Sequence, residues 1–357
     1  MPIERVDAAQ ALTHAPRYHA CIDARSPAEF ALDHLPGAVN WPSLDDAQRV
    51  QVGTLYTQVG AFEAKKLGAS MVARNIAQHL EQHAAALPKD WQPLIYCWRG
   101  GNRSGALATV LSAVGFRVHV LQGGYKAFRA LVREQLAQRP NGLRWRVLAG
   151  PTGVGKTHVL QALHAQGEQV LDLEHLAQHR SSVLGLLPGT TQPSQKAFET
   201  RLWHALNTLD PQRPVFVEAE SKRVGNVTVP ESLIHAMRQA PCVHLELPMA
   251  QRVALLMRDY QHFVQDVEPF CARLDALVAL CGKLRVSQWQ EAARSGAVHT
   301  AVQDLLDHHY DPRYRESIAR NFVLAPQGVQ LMLPDISPQA MTDAAQRVRQ
   351  WATSLAA

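Results

Sequence analysis

The stretch Leu94-Ile95-Tyr96-Cys97-Trp98-Arg99-Gly100-Gly101-Asn102-Arg103-Ser104 joins a short apolar run to a tight loop with two glycines and two arginines. An apolar helix is expected to follow, from Gly105 to Phe116. In a strand–loop–helix unit the backbone N–H groups converge on one point, and the helix N-terminus adds partial positive charge there. A thiol at that point should lose its proton easily, and the thiolate is the reactive form. The pattern therefore predicts that Cys97 is a nucleophile rather than a small buried hydrophobe.

The composition of the 357 residues, with 46% hydrophobic and 19% charged residues, is typical of a globular protein of one to three domains. No apolar run approaches the ~20 residues of a membrane helix, and the N-terminus lacks an apolar signal core, so we expect a cytoplasmic protein without a membrane partner. The five cysteines are scattered without zinc-type spacing, which indicates reduced thiols and no structural metal. A net charge of +5 weakly favours a polyanionic partner.

Strand-like runs alternate with helical stretches in the N-terminal part of the chain, which predicts a parallel α/β domain. Ser26 and Pro27 have the residue types of a helix N-cap and first helical position. The breaker cluster Arg139-Pro140-Asn141-Gly142 marks the best boundary. We therefore predict one domain over residues 1–138 and a second over residues 139–357.

The second domain opens with an apolar strand that runs into Gly150-Pro151-Thr152-Gly153-Val154-Gly155-Lys156-Thr157, followed by a helix. This is a complete Gly-x4-Gly-Lys-Thr P-loop in the setting that the motif requires. Gly150, Gly153 and Gly155 let the backbone fold around a phosphate. Lys156 neutralises the phosphate charge, and Thr157 can hold Mg²⁺. The motif predicts a P-loop NTPase-like α/β domain.

Two acidic residues, Glu218 and Glu220, end a later strand and are predicted to face the same side of it, where they could hold Mg²⁺ or support the P-loop. From about Met249 the chain is predicted to be mainly helical and is rich in arginine and tyrosine, which suits RNA binding. For any single residue, a solvated helix surface is the alternative. The candidate RNA contacts are Arg252, Arg258, Tyr260, Arg313 and Arg315.

The first domain contains a set of motifs in a fixed order: Asp23-x-Arg25, Glu29-Phe30, the turn from His34 to Asn40, Cys97 at a strand end, and Gly123-Gly124-Tyr125. Over about 110 residues these motifs resemble the rhodanese (sulfurtransferase) family. In that family the cysteine carries sulfur as a persulfide. The resemblance implies that all three of Asp23, Arg25 and Glu29 are scaffold residues rather than catalysts. Asp23 and Arg25 would form a buried ion pair, and Glu29 would lie at a helix start.

The Cys97 loop is longer than a common rhodanese loop, because five residues separate Cys97 from Arg103. This is the Cys-x5-Arg spacing of phosphatase relatives of the fold. Such a loop can surround a tetrahedral oxyanion with N–H groups and one bidentate arginine. The predicted anion loop comprises Trp98, Arg99, Gly100, Gly101, Asn102, Arg103 and Ser104. No general acid could be found from the sequence, which weighs against a phosphatase.

The order of these motifs, together with Gln192–Glu199 and Glu220–Gly225 behind the P-loop, resembles the tRNA 2-selenouridine synthase family over essentially the whole chain. Ser181 stands where a glycine of the family is expected. The resemblance implies that geranyl diphosphate alkylates the sulfur of a wobble 2-thiouridine, and that selenium from selenophosphate then replaces the S-geranyl group. It implies tRNA as a partner, a protein supplying selenophosphate as a further one, and no tightly bound cofactor apart from optional Mg²⁺.

The natural division places selenophosphate at Cys97, Arg99 and Arg103, and the diphosphate at the P-loop. Three alternatives remain open at this stage: an NTP-dependent sulfurtransferase acting on RNA, a Cys-x5-Arg phosphatase with a regulatory P-loop domain, and a non-catalytic sulfur or selenium carrier. The geranyl chain needs an apolar groove near the P-loop, and the helical region after Met249 has enough apolar side chains to form one.

Overall fold

A computed structural model describes residues 2–13, 15–180, 185 and 189–355. The chain forms two compact units, Met1–Gln135 with Ser194–His204, and Leu136–Pro193 with Ala205–Ala357. Among the described residues, no helix has the length and apolar character needed to cross a membrane. Both units have a parallel α/β architecture. It was predicted for the first from the alternation of strands and helices, and for the second from the P-loop.

The first unit contains a parallel sheet of five short strands in the order β1-β5-β4-β2-β3. The strands are β1 (Glu4–Val6), β2 (Ala20–Asp23), β3 (Ala38–Asn40), β4 (Pro93–Tyr96) and β5 (His119–Leu121). Strand β4 is central and buried along its whole length, because its apolar side chains are covered on both faces.

Six helices belong mainly to the first unit: α1 (Ala8–Thr13), α2 (Pro27–Leu32), α3 (Asp46–Gln58), α4 (Ala61–His79), α5 (Asn102–Val114) and α6 (Gly124–Gln138). Helix α2 begins with Ser26 as N-cap, Pro27 in the first turn and Glu29 completing a capping box, as the residue types predicted. Helix α5 begins at Asn102, so the prediction that Gly105 begins this helix was wrong by three residues, and the first helical turn contributes to the Cys97 loop.

The second unit is built on a parallel sheet in the order β12-β11-β6-β8-β7. Its strands are β6 (Arg144–Ala149), β7 (Gln169–Leu171), β8 (Pro214–Glu218), β11 (Cys242–Glu246) and β12 (Val329–Met332), and a separate antiparallel hairpin is formed by β9 (Arg223–Val224) and β10 (Val227–Thr228). Strand β6, which carries the P-loop, lies at the centre. The edge strand β12 falls in the region that the sequence indicated as mainly helical.

Helices surround this sheet and form most of the chain after Met249, as predicted. They are α7 (Lys156–Ala165), α8 (Leu173–Ala177), α9 (Gln195–Asn207), α10 (Glu231–Arg238), α11 (Met249–Asp259), α12 (Gln261–Gln265), α13 (Val267–Leu274), α14 (Val278–Cys281), α15 (Lys283–Arg294), α16 (Val298–Leu305), α17 (Asp311–Asn321) and α18 (Pro338–Ser354). The helices from α12 to α16 enclose a second apolar core of their own, separate from the core under the sheet.

The first part of α9 belongs to the first unit, although it follows the P-loop in sequence. The buried guanidinium of Arg129 pairs with Glu199, and its Nη1 donates to Thr200 Oγ1 at 2.9 Å. Thr200 in turn donates to Asp33 Oδ2 at 3.1 Å. These buried contacts are satisfied only when α9 is in place, so this helix completes the polar interior of the first unit.

Two glycines allow the Cys97 loop to pack backbone against backbone on the turn before α6. A Cβ atom on Gly124 (φ +57°) would lie 2.3 Å from the carbonyl oxygen of Cys97, and one on Gly100 (φ +66°) would lie 2.6 Å from that of Leu121. Any side chain at these positions would therefore collide with main-chain atoms, and the left-handed backbone itself favours glycine.

Gly124→Ala should lower the free energy of unfolding, because the left-handed backbone alone costs about 1–3 kcal/mol and the collision with Cys97 adds to this. Urea denaturation measures the change. Gly105→Ala on α5 is the matched control: nothing lies within 4 Å of its Cβ, and alanine in a helix is favoured by roughly 0.5–1 kcal/mol. Equal stability of the two variants would contradict this account of the loop.

Candidate active sites

The thiol of Cys97 lies directly after the central strand β4, where the anion loop begins. The side chain is 3% exposed. The carbonyl oxygen of Cys97 accepts a hydrogen bond from Tyr125 N–H at 2.8 Å, and that of Trp98 accepts one from Lys126 N–H at 3.0 Å. The Gly-Gly-Tyr turn singled out in the sequence therefore holds the strand side of the loop in place.

The loop directs hydrogen-bond donors at the sulfur atom. Ser104 Oγ donates to Cys97 Sγ at 3.2 Å. Burial raises the pKa of the Cys97 thiol, but the hydrogen bonds from the Ser104 hydroxyl and from the backbone N–H groups of Ser104, Arg99 and Gly101 lower it, and the pKa lies below its ordinary value. The arrangement therefore favours the thiolate, as the position at a helix start predicted.

Arg103 is held by a carboxylate on one edge of its guanidinium. Its Nη1 donates to Glu29 Oε2 at 2.8 Å. Burial raises the pKa of Glu29, but the hydrogen bond and charge of Arg103 lower it, together with smaller effects of Ser26 and Arg49, and the net pKa is below the ordinary value. Glu29 thus acts both in the capping box of α2 and as the partner that orients Arg103.

The other predicted scaffold residues are also in place. Arg25 and Asp23 form a buried ion pair with Nη2 and Oδ2 2.5 Å apart. The side chain of Arg99 is exposed, and that of Trp98 packs against Tyr125 with ring centroids 5.4 Å apart. Arg99 therefore reaches the thiol through its N–H group, while its guanidinium lies at the surface.

The P-loop follows β6 and leads into α7, as its motif predicted. Lys156 Nζ donates to the carbonyl oxygen of Gly150 at 2.8 Å, and the N–H of Gly150 donates to the hydroxyl of Tyr314 at 2.5 Å. Gly153 and Gly155 have positive φ angles of +80° and +90°, so the backbone can curve around an anion. Tyr314, which no motif singled out, closes one side of this cradle.

Three carboxylates meet beside the P-loop. One oxygen atom from each of Glu174, Glu218 and Glu220 lies within 4.8 Å of the others, and Thr157 Oγ1 donates to Glu218 Oε1 at 2.7 Å. Strand β8 ends at Glu218, so Glu220 reaches the site from just beyond the strand and not by alternation along it. Oxygen ligands of this kind suit Mg²⁺, and these residues with Thr157 could hold it. Glu174 was missed from the sequence because it belongs to no motif.

The surroundings of Glu218 destabilise the ionised form of its side chain. Burial raises its pKa, the neighbouring Glu174 and Glu220 raise it further, and Lys156 and Thr157 only partly offset this, leaving the pKa at about 8. A bound cation would relieve the repulsion between the carboxylates.

Two adjacent cavities lie beside the P-loop. The larger, of about 530 Å³, is lined by the P-loop, the three carboxylates, Arg180, Arg313 and Tyr314. The smaller, which we call the apolar chamber, has about 50 Å³ of open space and is lined mainly by side chains of α11, α12, α13 and α16. Thr152, Leu256, Tyr260 and Tyr310 line both cavities.

Comparison with known proteins gives two family matches that together cover most of the chain. Residues 5–131 match a rhodanese-like domain, and residues 143–275 match the tRNA 2-selenouridine synthase AAA domain. A tRNA 2-selenouridine synthase of Nitrosomonas europaea is 32% identical over 349 residues, covering 85% of this chain and 90% of the relative. The chain belongs to the tRNA 2-selenouridine synthase family.

Further members of the family are similarly related. The synthase of Pseudomonas putida strain GB-1 is 34% identical over 82% of this chain and 86% of its own length. Among solved structures, a rhodanese-related protein from Thermoplasma volcanium covers 36% of this chain and 92% of its own, with 18% identity and a TM-score of 0.24.

The candidate tRNA contacts of this chain differ in how exposed they are. Arg258 and Arg315 are exposed, and Arg313 is exposed at the rim of the larger cavity. Tyr260 is half-buried between the two cavities, with the guanidinium carbon of Arg180 4.7 Å from its ring centroid. These four remain predictions. Ser181, where the family glycine was expected, lies outside the described residues.

The prediction that Arg252 contacts tRNA does not agree with the structure. Arg252 is 5% exposed, its Nε and Nη2 donate to the carbonyl oxygen of Thr152 at 2.9 and 2.7 Å, and its two Nη atoms bind Asp311. Its donors are therefore occupied within the protein. Arg252 supports the P-loop, and its arginine identity suits this bidentate pairing.

Ser104→Ala should raise the pKa of Cys97, because it removes the side-chain hydrogen bond that stabilises the thiolate. The rate of alkylation of Cys97 by iodoacetamide, followed by peptide mass spectrometry as a function of pH, should shift to higher pH. Ser112→Ala, further along α5, is the control. An unchanged pH profile for Ser104→Ala would show that the backbone N–H groups alone set the reactivity.

Glu218→Gln should stabilise the protein at pH 8. Because the folded-state pKa of Glu218, about 8, is raised from 4.5, the folded state binds this proton more tightly and stability falls as pH rises between these values. We expect a gain of roughly 1 kcal/mol or more at pH 8, and this gain should shrink towards pH 4.5.

Urea denaturation at both pH values measures this gain, with the exposed Glu231→Gln as control. A lower stability of Glu218→Gln than of the wild type at pH 8 would show instead that the carboxylate is net stabilising through Lys156.

Proposed function

We propose that this protein converts wobble 2-thiouridine in tRNA to 2-selenouridine through an S-geranylated intermediate, using geranyl diphosphate and selenophosphate in the cytoplasm. The observation that carries the proposal is the presence of two different anion cradles on one chain, each after the central strand of its own parallel sheet. One holds a thiol of lowered pKa, and the other holds a lysine and three carboxylates. A reaction that consumes two anionic substrates needs two such sites.

The P-loop would carry the alkylation step. The thiocarbonyl sulfur attacks C1 of geranyl diphosphate, a C–S bond forms, and the C–O bond to the diphosphate breaks with its electrons leaving on oxygen. Lys156 and the N–H groups of the loop stabilise this leaving charge. Mg²⁺, where present, would be held by Thr157 and the Glu174, Glu218 and Glu220 cluster and would supply further neutralisation. Alkylation converts the sulfur into a good leaving group.

The Cys97 loop would release selenium from selenophosphate. The Cys97 thiolate attacks phosphorus, an S–P bond forms, and the P–Se bond breaks with its electron pair leaving on selenium. Hydrogen selenide is acidic enough to leave without a general acid, so this step does not require one. Arg103, oriented by Glu29, and the loop N–H groups hold the phosphoryl oxygens.

The remaining steps regenerate Cys97 and place selenium on the uridine, and neither step needs an oxidant or a reductant. Water cleaves the S–P bond to give phosphate and the free Cys97 thiol. Hydrogen selenide adds to C2 of the S-geranylated uridine, the C2–S bond breaks, and geranyl thiol leaves. Direct formation of a Cys97 perselenide from selenophosphate would need an oxidant, which is why we favour attack on phosphorus.

An NTP-dependent sulfurtransferase is the second candidate function. The carboxylate cluster beside Thr157 favours it, because a metal site at that position would also serve a nucleotide. Turnover of purified protein with tRNA and geranyl diphosphate, in the absence of any nucleotide, separates the two. A requirement for ATP or GTP with release of phosphate would replace the proposal by this candidate.

Cys97→Ala and Lys156→Ala should block opposite halves of the reaction. Cys97→Ala should give no 2-selenouridine while geranylated thiouridine accumulates. Lys156→Ala should lower geranylation by about 10²–10³-fold, the cost of losing one donor to a developing oxyanion, yet still selenate tRNA that is already geranylated. Mass spectrometry of tRNA nucleosides distinguishes the products.

The exposed Lys222→Ala serves as the charge control for Lys156→Ala. If both catalytic-site variants lose the same step, the division of the two substrates between the two sites is wrong.

A further inference from the structure

We propose that the apolar chamber holds the hydrocarbon tail of the diphosphate substrate and that its walls limit the length of the chain accepted. The inference rests on the proposed function, since it takes a prenyl diphosphate as the ligand of the P-loop. In this proposal the chamber binds the tail, and the residues that line it select the length of the substrate chain.

The chamber adjoins the phosphate cradle, and four residues line both. Thr152 belongs to the P-loop itself, and Leu256 lines both cavities. Leu256 also packs on the loop, because a Cβ atom on Gly153 would lie 2.9 Å from Leu256 Cδ1. A ligand with its diphosphate on the P-loop therefore has the chamber directly beside it.

The chemistry of the lining selects a hydrocarbon over a nucleobase. The residues that line only the chamber are apolar, among them Met257, Phe263, Phe270, Val298 and Val302. A purine or pyrimidine would leave its hydrogen-bonding edge unsatisfied against such walls, which is costly. An isoprenoid tail has no polar group to desolvate. The polar cradle and the apolar chamber together match a molecule that is anionic at one end and hydrocarbon at the other.

The chamber is narrow, with about 50 Å³ open. A ten-carbon chain enters only if side chains move, and Met257 is flexible enough to change rotamer at low cost. A narrow chamber gives chain-length selectivity, because each buried CH₂ strengthens binding by about fourfold and each carbon that does not fit forfeits that gain.

The experiment changes the volume of the chamber by substituting Val302, a half-buried residue of α16 that lines it. Val302→Phe should reduce the preference for geranyl over dimethylallyl diphosphate by about tenfold or more, because several carbons of the geranyl chain can no longer be buried in the chamber. Val302→Ala should raise the use of farnesyl relative to geranyl diphosphate severalfold. Gln303→Phe adds the same ring on the exposed side of the same helix and should change neither ratio.

A binding measurement separates the chamber from the chemistry. Calorimetry should show that the wild-type protein binds geranyl diphosphate at least tenfold more tightly than inorganic diphosphate, and that Val302→Phe reduces this ratio while leaving inorganic diphosphate binding unchanged. Equal affinity of the wild type for the two ligands would overturn the inference. Thermal unfolding checks that each variant is folded, and Val302→Ala, which removes volume without a clash, carries the test if Val302→Phe does not fold.

The two proposals can fail separately. If the wild type transfers a geranyl group to tRNA but both Val302 variants keep its chain-length ratio, the inference is wrong and the proposed function stands. If the wild type binds geranyl diphosphate through its tail, and Val302 controls this binding, but no prenyl group reaches tRNA, the proposed function fails and the chamber stands as a tail-binding site.

Discussion

The close packing of main chain against main chain around Cys97 is the constraint on which the first site depends. Gly100 and Gly124 leave no room for a side chain, and the Cys97 carbonyl is bound by Tyr125 N–H. The loop is therefore rigid before any ligand arrives, and its N–H groups already point at the sulfur. A site organised in this way stabilises a thiolate or an oxyanion without reorganisation at the moment of reaction.

The second site has the same position in its sheet but the opposite electrostatics. At Cys97 hydrogen bonds stabilise the charged form of the side chain, whereas at Glu218 burial and neighbouring carboxylates oppose it. The first site is thus prepared to act as a nucleophile, and the second to bind a cation together with an anionic ligand. One architecture supports both, because the carboxyl end of a central parallel strand presents a loop and a helix start to the same point.

The helical region after Met249 contributes buried side chains that contact the P-loop, in addition to its exposed residues. Arg252 binds the Thr152 carbonyl and Asp311, and Leu256 and Met341 pack against P-loop glycines. A high density of arginine predicts RNA binding, but composition cannot distinguish a buried bidentate arginine from an exposed one. The contacts show that part of this charge stabilises the P-loop instead.

Features that depend on residues close together in the chain could be predicted from the sequence. These include the strand–loop–helix units at Cys97 and the P-loop, and the start of α2 at Ser26 and Pro27, because backbone conformation there is specified by neighbouring residues. Which distant groups meet depends instead on the tertiary structure. It brought Glu174 to the other two carboxylates, placed the start of α9 in the first unit and buried Arg252. It also formed β12, a four-residue, mostly exposed edge strand with no periodic signal of its own. Such contacts join residues tens of positions apart, and they depend on the path of the whole chain.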